Sequence, residues 1–132
     1  MRVLIADDND LLANLWSVAL RAESIEVMRA RDGEEAVELC RRLNPDVVLM
    51  DIMMPRLDGL EAFRTIRRSM TRPPRVIFVS CVARSVELEE AKSMRAADFM
   101  VKGRFTLHQL VAGVKRAVRD LEGDLFARAA IA

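Results

Sequence analysis

Two patterns of hydrophobic positions alternate along the chain. Short, unbroken apolar runs are typical of buried parallel strands, and they predict strands at Arg2–Ala6, Ile25–Ala30, Val47–Met50, Val76–Val79 and Ala97–Val101. Between these runs, apolar residues recur three and four positions apart, which predicts amphipathic helices. Five strands that alternate with five helices predict an α/β domain with a doubly wound parallel sheet, covered by helices on both faces.

Polar residues mark where the predicted helices begin. The first helix carries an apolar stripe made of Leu12, Leu15, Trp16, Ala19 and Leu20. The N-caps predicted for the next three helices are Asp32, Asp58 and Ser85, and Thr106 with Gln109 predicts a capping box for the last helix. On the third helix, we expect a solvated face that consists of Arg64, Arg67 and Arg68.

The conspicuous polar residues follow the ends of the strands. Asp7 and Asp8 end the first strand, Asp51 ends the third, Ser80 the fourth and Lys102 the fifth. In open α/β sheets, ligands bind beyond the carboxyl ends of the strands, at the point where the strand order reverses. A strand order of 2-1-3-4-5 would place the first strand beside the third and gather these side chains in one crevice.

Three carboxylates in one crevice repel each other unless a cation joins them. Carboxylate oxygens without a neighbouring His or thiolate select Mg²⁺, or Mn²⁺, over zinc, and Mg²⁺ commonly shares a substrate phosphate. Lys102 and Ser80 would neutralise and hydrogen-bond the oxygens of a transferring phosphoryl group. Asp51 is the candidate nucleophile, because an Asp carboxylate can form an acyl phosphate.

Composition narrows the setting of this chemistry. The chain has 132 residues, enough for one domain, and its 21 Lys plus Arg against 20 Asp plus Glu give a net charge of +1. This balance carries no footprint of nucleic-acid or anionic-membrane binding, so we expect no direct DNA binding. Two cysteines, with no signal peptide and no apolar run long enough to cross a membrane, predict a soluble, cytoplasmic protein.

Taken together, the motifs resemble the receiver domain of two-component response regulators, over Arg2 to about Arg119. The matching features are the acidic pair Asp7-Asp8, the D-x-x-M-P-x-x-D-G run from Asp51 to Gly59, Ser80 before a small residue, and Phe99 three positions before Lys102. The resemblance implies a flavodoxin-like (βα)5 fold in which Asp51 accepts a phosphoryl group from a histidine kinase or histidine phosphotransfer protein. It implies no enzyme activity beyond self-phosphorylation and slow autodephosphorylation.

The resemblance also implies a role for each residue of the crevice. Asp8 and Asp51 would ligate Mg²⁺ directly, and Asp7 would act through a water molecule. The backbone carbonyl of Met53 would be a further ligand. Lys102 would pair with Asp51 or with its phosphoryl group. The switch pair would be Ser80 and Phe99, which change the face made by the fourth helix, the fifth strand and the fifth helix.

Two positions depart from the family pattern. Gly103 stands where a proline usually follows the lysine, so we expect a trans peptide bond, a reshaped loop and some looseness in the direction of Lys102. Arg95 stands where a glycine commonly ends the fourth helix. Either Arg95 adopts a left-handed conformation or the helix runs on.

Other function classes fit the residues less well. A phosphatase with an Asp nucleophile normally needs a second Asp soon after it, and positions 52 to 57 contain none. A flavin-binding module needs a phosphate-cradling loop after the first strand, where this chain has Asp7-Asp8-Asn9-Asp10. A phosphorylation-independent interaction domain stays open as an alternative, because Gly103 is unusual.

The end of the chain leaves two further choices. Residues 121–132 are predicted to be a tail or linker after a receiver domain of residues 1–120, and a continuation of the last helix is the alternative. A homodimer could form through the proposed switch face, which carries the acids Glu87, Glu89 and Glu90 and the bases Lys115, Arg116 and Arg119. A solvated surface explains these charges equally well.

Overall fold

The computed structural model describes residues 1–81 and 85–131, with the backbone alone at residue 85 and over residues 121–131. The strands within this part of the chain are β1 (Arg2–Ala6), β2 (Glu26–Ala30), β3 (Val47–Met50), β4 (Arg75–Ser80) and β5 (Asp98–Val101). The helices are α1 (Asp10–Arg21), α2 (Gly33–Leu43), α3 (Gly59–Ser69), α4 (Ser85–Ser93) and α5 (Leu107–Ile131). The predicted capping by the Ser85 side chain lies outside the described residues.

All strand pairs are parallel, and their order in the sheet is β2-β1-β3-β4-β5. The predicted fold class and strand order are therefore confirmed. Alternate residues of each central strand enter two separate cores. Val3 and Ile5 of β1 pack in the core that α1 and α5 cover, whereas Leu4 and Ala6 pack in the core that α2 and α3 cover. Burial on both faces explains why the strand sequences are apolar without alternation.

Side-chain caps fix where the helices begin. The carboxylates of Asp32 and Asp58 accept hydrogen bonds from the third residue of α2 and α3, at 2.8 and 2.9 Å, as predicted. Thr106 and Gln109 form the predicted capping box at α5, each side chain accepting from the other residue's backbone amide. Asn9 caps α1 in the same way, which was not predicted. The loops at the carboxyl edge of the sheet therefore end at defined residues.

The apolar stripe on α1 differs from the predicted one. Ala13, Trp16 and Leu20 are buried, but the side of the helix that carries Leu15 faces outward. Leu15 is 46% exposed, and Leu11 and Val18 are 78% and 67% exposed. The prediction for Leu15 was wrong because the buried stripe centres on Trp16, and the next position on a helix lies about 100° away from it.

Two of the three arginines on α3 hydrogen-bond to α4 or to the turn that follows it. Arg64 Nη2 donates to Glu90 Oε1 at 2.7 Å, and the Arg64 side chain is only 27% exposed. Arg67 Nη1 donates to the backbone carbonyl of Met94, just beyond the end of α4. The predicted solvated face is therefore wrong for Arg64, whose guanidinium reaches the neighbouring helix, whereas Arg67 and Arg68 are exposed as predicted.

The end of α4 resolves the choice at Arg95. This residue has a φ of 59°, in the left-handed region, and α4 ends at Ser93. The amide of Ala96 donates to the carbonyl of Ala91 at 3.0 Å, which is the hydrogen bond of a Schellman cap. Arginine therefore takes the conformation that glycine usually supplies, at a cost of about 1–2 kcal/mol.

The last helix extends well beyond the sheet. The backbone of α5 is helical to Ile131, so residues 121–131 continue the helix that begins at Leu107. Among the described residues, the structure contains no helix that is both long and apolar enough to cross a membrane.

Candidate functional site

The site lies at the carboxyl ends of β1, β3, β4 and β5. Asp7 follows β1, Asp51 follows β3, Ser80 is the last residue of β4, and Lys102 follows β5. Backbone hydrogen bonds continue the sheet into these positions, since the Asp51 amide donates to the carbonyl of Ala6 at 2.9 Å and the Lys102 amide to that of Ser80 at 2.8 Å. The functional side chains are therefore held on the ends of a rigid sheet.

Three carboxylates meet in the crevice. One oxygen from each of Asp7, Asp8 and Asp51 can be chosen so that all three lie within 4.8 Å of one another. Asp7 is fully buried and Asp51 is nearly so, whereas Asp8 is exposed. The structure therefore brings together the three acids that the strand order predicted, with the two buried ones at the bottom of the crevice.

Lys102 supplies the positive charge that faces these acids. Its Nζ lies 2.7 Å from Asp7 Oδ2 and 3.2 Å from Asp51 Oδ2, and its side chain is 11% exposed. Burial lowers the pKa of Lys102, but the contact with Asp7 and the charge of Asp51 outweigh burial and raise it above the usual value. The ammonium therefore stays charged at neutral pH.

The Asp51 carboxyl is poised differently. Burial raises its pKa above the usual value, the nearby charge of Asp7 raises it further, and Lys102 opposes both effects. The Met53 amide lies 3.4 Å from Asp51 Oδ1, a long and weak hydrogen bond. Asp51 is thus a buried carboxylate whose burial outweighs the stabilisation that Lys102 gives its negative charge, a state that an additional cation would relieve.

The donor set fits a small hard cation. Asp7 Oδ2 is buried and accepts no well-formed hydrogen bond from the described residues, although it lies at ion-pair distance from Lys102. The clustered donors are carboxylate oxygens, which Mg²⁺ and Mn²⁺ prefer over softer ligands. Asp7, Asp8 and Asp51 could therefore hold a divalent ion at the mouth of the crevice.

Close backbone contacts fix the loop that follows Asp51. A Cβ atom on Gly59 would lie 2.1 Å from the carbonyl oxygen of Asp51, so only glycine fits at this position. The Gly59 amide donates to the Ile52 carbonyl at 2.8 Å. Similarly, a Cβ on Gly33 would lie 1.9 Å from the Leu57 carbonyl oxygen. The first turns of α2 and α3 therefore pack directly on this loop.

The loop after Lys102 has the predicted trans peptide bond. Gly103 has a φ of 83° and has open space around the position of a Cβ. The expected looseness of Lys102 is not what the structure shows, because the two carboxylates engage its ammonium. The ring of Trp16 also lies beneath it, with a centroid 6.0 Å from Nζ, and the same ring lies 6.1 Å from that of Phe105. Trp16 therefore supports the loop at both of its ends.

Ser80 and Phe99 lie on neighbouring strands. Ser80 is buried at the end of β4. Phe99 is half-buried on β5, where it pairs with Phe78 of β4, and the two ring centroids are 6.3 Å apart. Of the two residues proposed as a switch pair, Ser80 therefore lies at the site and Phe99 packs against the same strand, β4.

Arg29 on β2 contacts the loop after β1, which the sequence did not predict. Its Nε and Nη2 donate to the backbone carbonyl of Asp7 at 3.0 and 2.7 Å, and Nη2 also lies 3.0 Å from Asp10 Oδ1. The available signal was a charged residue in a predicted strand, one position before its end. Arg29 thereby joins β2 to the acidic loop after β1.

Known proteins match this chain in sequence. A family model described as the response regulator receiver domain matches residues 3–115. Transcriptional regulatory protein TrcR of Mycobacterium tuberculosis is 36% identical over 119 residues, which cover 90% of this chain and 46% of TrcR. Regulatory protein AtoC of Escherichia coli is 37% identical over 118 residues, which cover 89% of this chain and 25% of AtoC. The chain thus spans less than half the length of these relatives.

The fold also matches a solved structure closely. The response regulator domain of Thermotoga maritima CheB superimposes with a TM-score of 0.77 at 33% identity, covering 91% of this chain and 94% of that one. The family match extends over most of the chain and ends within α5. The chain belongs to the response regulator receiver domain family.

Proposed function

We propose that this chain accepts a phosphoryl group on Asp51 from a phosphohistidine of a histidine kinase or histidine phosphotransfer protein. One observation carries the proposal: the buried Asp51 carboxylate lies with two further carboxylates within 4.8 Å and with the Lys102 ammonium 3.2 Å away. A nucleophilic oxygen, a cation site and a fixed positive charge are the parts that phosphoryl transfer needs.

In the proposed reaction, an Asp51 oxygen forms a bond to phosphorus while the phosphorus–nitrogen bond of the donor breaks. The electron pair of that bond returns to the imidazole nitrogen, which takes a proton from water. Lys102 stands at the carboxylate, where its charge neutralises the arriving phosphoryl oxygens. Slow hydrolysis of the resulting acyl phosphate at the same site would reset the protein without a separate enzyme.

The divalent ion would be held by Asp8 and Asp51 directly, by the backbone carbonyl of Met53, and by Asp7 through a water molecule. When bound, Mg²⁺ or Mn²⁺ supplies charge that draws the phosphoryl oxygens towards the carboxylates. The exposed position of Asp8 suits contact with an ion that enters from solvent.

Ser80 and Phe99 would transmit phosphorylation to the face made by α4, β5 and α5. A phosphoryl oxygen would draw the Ser80 hydroxyl towards Asp51, and the Phe99 ring would turn into the space left on the β4 side. Phosphorylation would then shift a balance between two states that already exists. The half-burial of all four residues of β5 supports the proposal, since such a strand has room to rearrange.

We also propose that the chain forms a homodimer through the face made by α4, β5 and α5. Six charges suggested it, and the structure engages two of them within the chain: Glu90 with Arg64, and Lys115 with Glu23. The remaining charges that could cross a dimer interface are Glu87, Glu89, Arg116 and Arg119. We further propose that residues 1–120 carry the receiver function and that residues 121–132 are a tail or linker after it.

Phosphorylation by acetyl phosphate with Mg²⁺ tests the main proposal. Mass spectrometry of the intact chain should show one added phosphoryl group, and Asp51→Asn should lose it. Asp46→Asn is the matched control, because Asp46 lies at the opposite end of β3, where its carboxylate accepts from the Arg2 amide. An unchanged adduct in Asp51→Asn would exclude this residue. A wild-type chain without any adduct would instead favour the phosphorylation-independent interaction domain.

A further inference from the structure

The acidic loop between β1 and α1 contains more acids than the crevice uses. Asp7 and Asp8 contribute oxygens to the cluster with Asp51, and Asn9 caps α1. Asp10 follows immediately, yet its carboxylate lies beside Arg29 and Arg31, at 3.0 and 3.4 Å. The loop therefore contains two acids that belong to the crevice and a third, Asp10, that pairs with arginines instead.

Arg29 is the residue that touches both parts of this loop. Its side chain is 19% exposed, and two of its nitrogens donate to the backbone carbonyl of Asp7 at 3.0 and 2.7 Å. That carbonyl belongs to the peptide group that joins Asp7 to Asp8. A rigid guanidinium fork that holds the carbonyl fixes the plane of this peptide and hence the direction in which Asp8 leaves the backbone.

The neighbouring cation provides an internal comparison. Arg31 pairs with the same Asp10 oxygen at 3.4 Å, but its side chain is mostly exposed. Both arginines therefore neutralise Asp10. Of the two, Arg29 is the one that donates to the Asp7 carbonyl.

We propose that Arg29 is a positioning residue for the divalent-cation site, which it organises by anchoring the Asp7–Asp8 peptide. The inference rests on the proposed function, since it assumes that Asp7, Asp8 and Asp51 bind a divalent ion. Arg29 acts through the backbone and does not touch the ion. It comes from β2, so the site depends on a strand that carries none of its ligands.

The proposal predicts a sign opposite to that of simple electrostatics. Removing a positive charge near a cation site should strengthen cation binding if charge alone mattered. Loss of an outer contact that orients a ligand instead weakens metal binding, typically by about 10-fold to 100-fold. The direction of the change in Mg²⁺ affinity therefore separates the positioning role from a general charge effect.

The experiment is a titration of the full chain with MgCl₂, followed by the amide resonances of the loop in ¹H–¹⁵N spectra. Arg29→Met should raise the dissociation constant for Mg²⁺ by about tenfold. Arg31→Met, the matched control, should leave it unchanged or lower it. Arg29→Lys keeps the charge but not the fork, so its affinity should fall between those of wild type and Arg29→Met.

Two results would overturn the inference alone. One is Mg²⁺ binding by Arg29→Met that is as tight as in wild type, or tighter. The other is an equal loss in Arg29→Met and Arg31→Met, which would trace the effect to Asp10. If Arg29→Met does not fold, Arg29→Lys and Asp10→Asn are compared instead. We expect weaker Mg²⁺ binding in Arg29→Lys and unchanged Mg²⁺ binding in Asp10→Asn. The reverse order would overturn the inference. Absence of Mg²⁺ binding by the wild-type chain would overturn the cation site itself, and this inference with it.

Discussion

The two sides of the carboxyl edge of the sheet differ in how tightly they are packed. On the side of β1 and β3, the strand residues from Val3 to Ala6 and from Val47 to Met50 are buried, and α3 begins against the backbone of Asp51. On the side of α4 and β5, every residue of β5 is half-buried. Among the described residues of α4, the buried core receives Ala91.

This difference separates two tasks. The carboxylates, whose mutual distances decide the proposed chemistry, stand on the tightly packed side. Phe99 and α4, which would change position in the proposed switch, stand on the side that has fewer fully buried residues. The Arg64–Glu90 ion pair adds a contact between α3 and α4 there. Elements with few buried apolar contacts open at lower free energy than the core does. The comparison can be tested by perturbing each side in turn.

The largest effect should come from Gly59→Ala on the tight side. The new Cβ would lie 2.1 Å from the Asp51 carbonyl oxygen, so the start of α3 must move. Overpacking of this kind costs about 1–3 kcal/mol, and contact with backbone places Gly59→Ala at the upper end. Urea unfolding measures the loss, and phosphorylation of Asp51 should weaken with it.

Gly113→Ala is the matched control for this substitution. Gly113 lies within α5, and its added Cβ would meet the Met100 sulfur at 3.8 Å, an ordinary contact. Alanine should therefore stabilise the helix by up to about 1 kcal/mol. Equal stability of the two variants would contradict the view that the loop after Asp51 has no room.

A smaller effect on the tight side concerns pH. The raised pKa of Asp51 means that the folded chain binds its proton more strongly than the unfolded chain does. In the absence of divalent ions, the free energy of unfolding should therefore fall as Asp51 loses its proton in the folded chain. The fall begins near the ordinary Asp pKa and is complete above the raised pKa of Asp51. Asp51→Asn should remove this decline and be more stable than wild type at neutral pH.

Urea unfolding in EDTA at a series of pH values measures this difference. Asp46→Asn, at the other end of β3, should keep the decline that wild type shows. A wild-type chain whose stability responds to pH in the same way as that of Asp51→Asn would show that Asp51 carries no burial penalty, and would weaken its assignment as a poised nucleophile.

The smallest effect on stability should come from Glu90→Gln on the loose side. The Arg64–Glu90 pair is partly exposed, so its loss should cost less than about 1 kcal/mol. Amide hydrogen exchange within α4 should nevertheless accelerate, because the pair ties this helix to α3. Glu89→Gln, at an exposed neighbouring position, is the control. Unchanged exchange in Glu90→Gln would show that core contacts alone hold α4.

The features that the sequence predicted well have local signals. An apolar run that stops at an acid identified β1 and β3 together with Asp7 and Asp51, and the caps Asp32 and Asp58 lie three residues before the amides they accept from. Each of these signals lies within a few consecutive residues, so it can be read from the sequence alone. The convergence of Asp8 and Lys102 on Asp51 followed from the topology, since parallel strands end at one edge.

The features that the sequence did not predict involve long side chains between elements. Arg29 reaches from β2 to a backbone carbonyl, and Arg64 reaches from α3 to α4; neither partner is marked by spacing along the chain. The departure at Gly103 suggested a loose lysine, because the family pattern gave no reason to expect support from Trp16. Contacts of this kind depend on the three-dimensional distance between elements, which periodicity does not contain.

Trp16 has a further consequence because it is the only tryptophan in the chain. Its ring is almost fully buried and lies 6.0 Å from the Lys102 ammonium. The wavelength and intensity of indole fluorescence depend on the electric field and the quenching groups around the ring. Emission from the unlabelled protein therefore arises at a single place, and it reports whether Lys102 stays at the carboxylates or moves away from them.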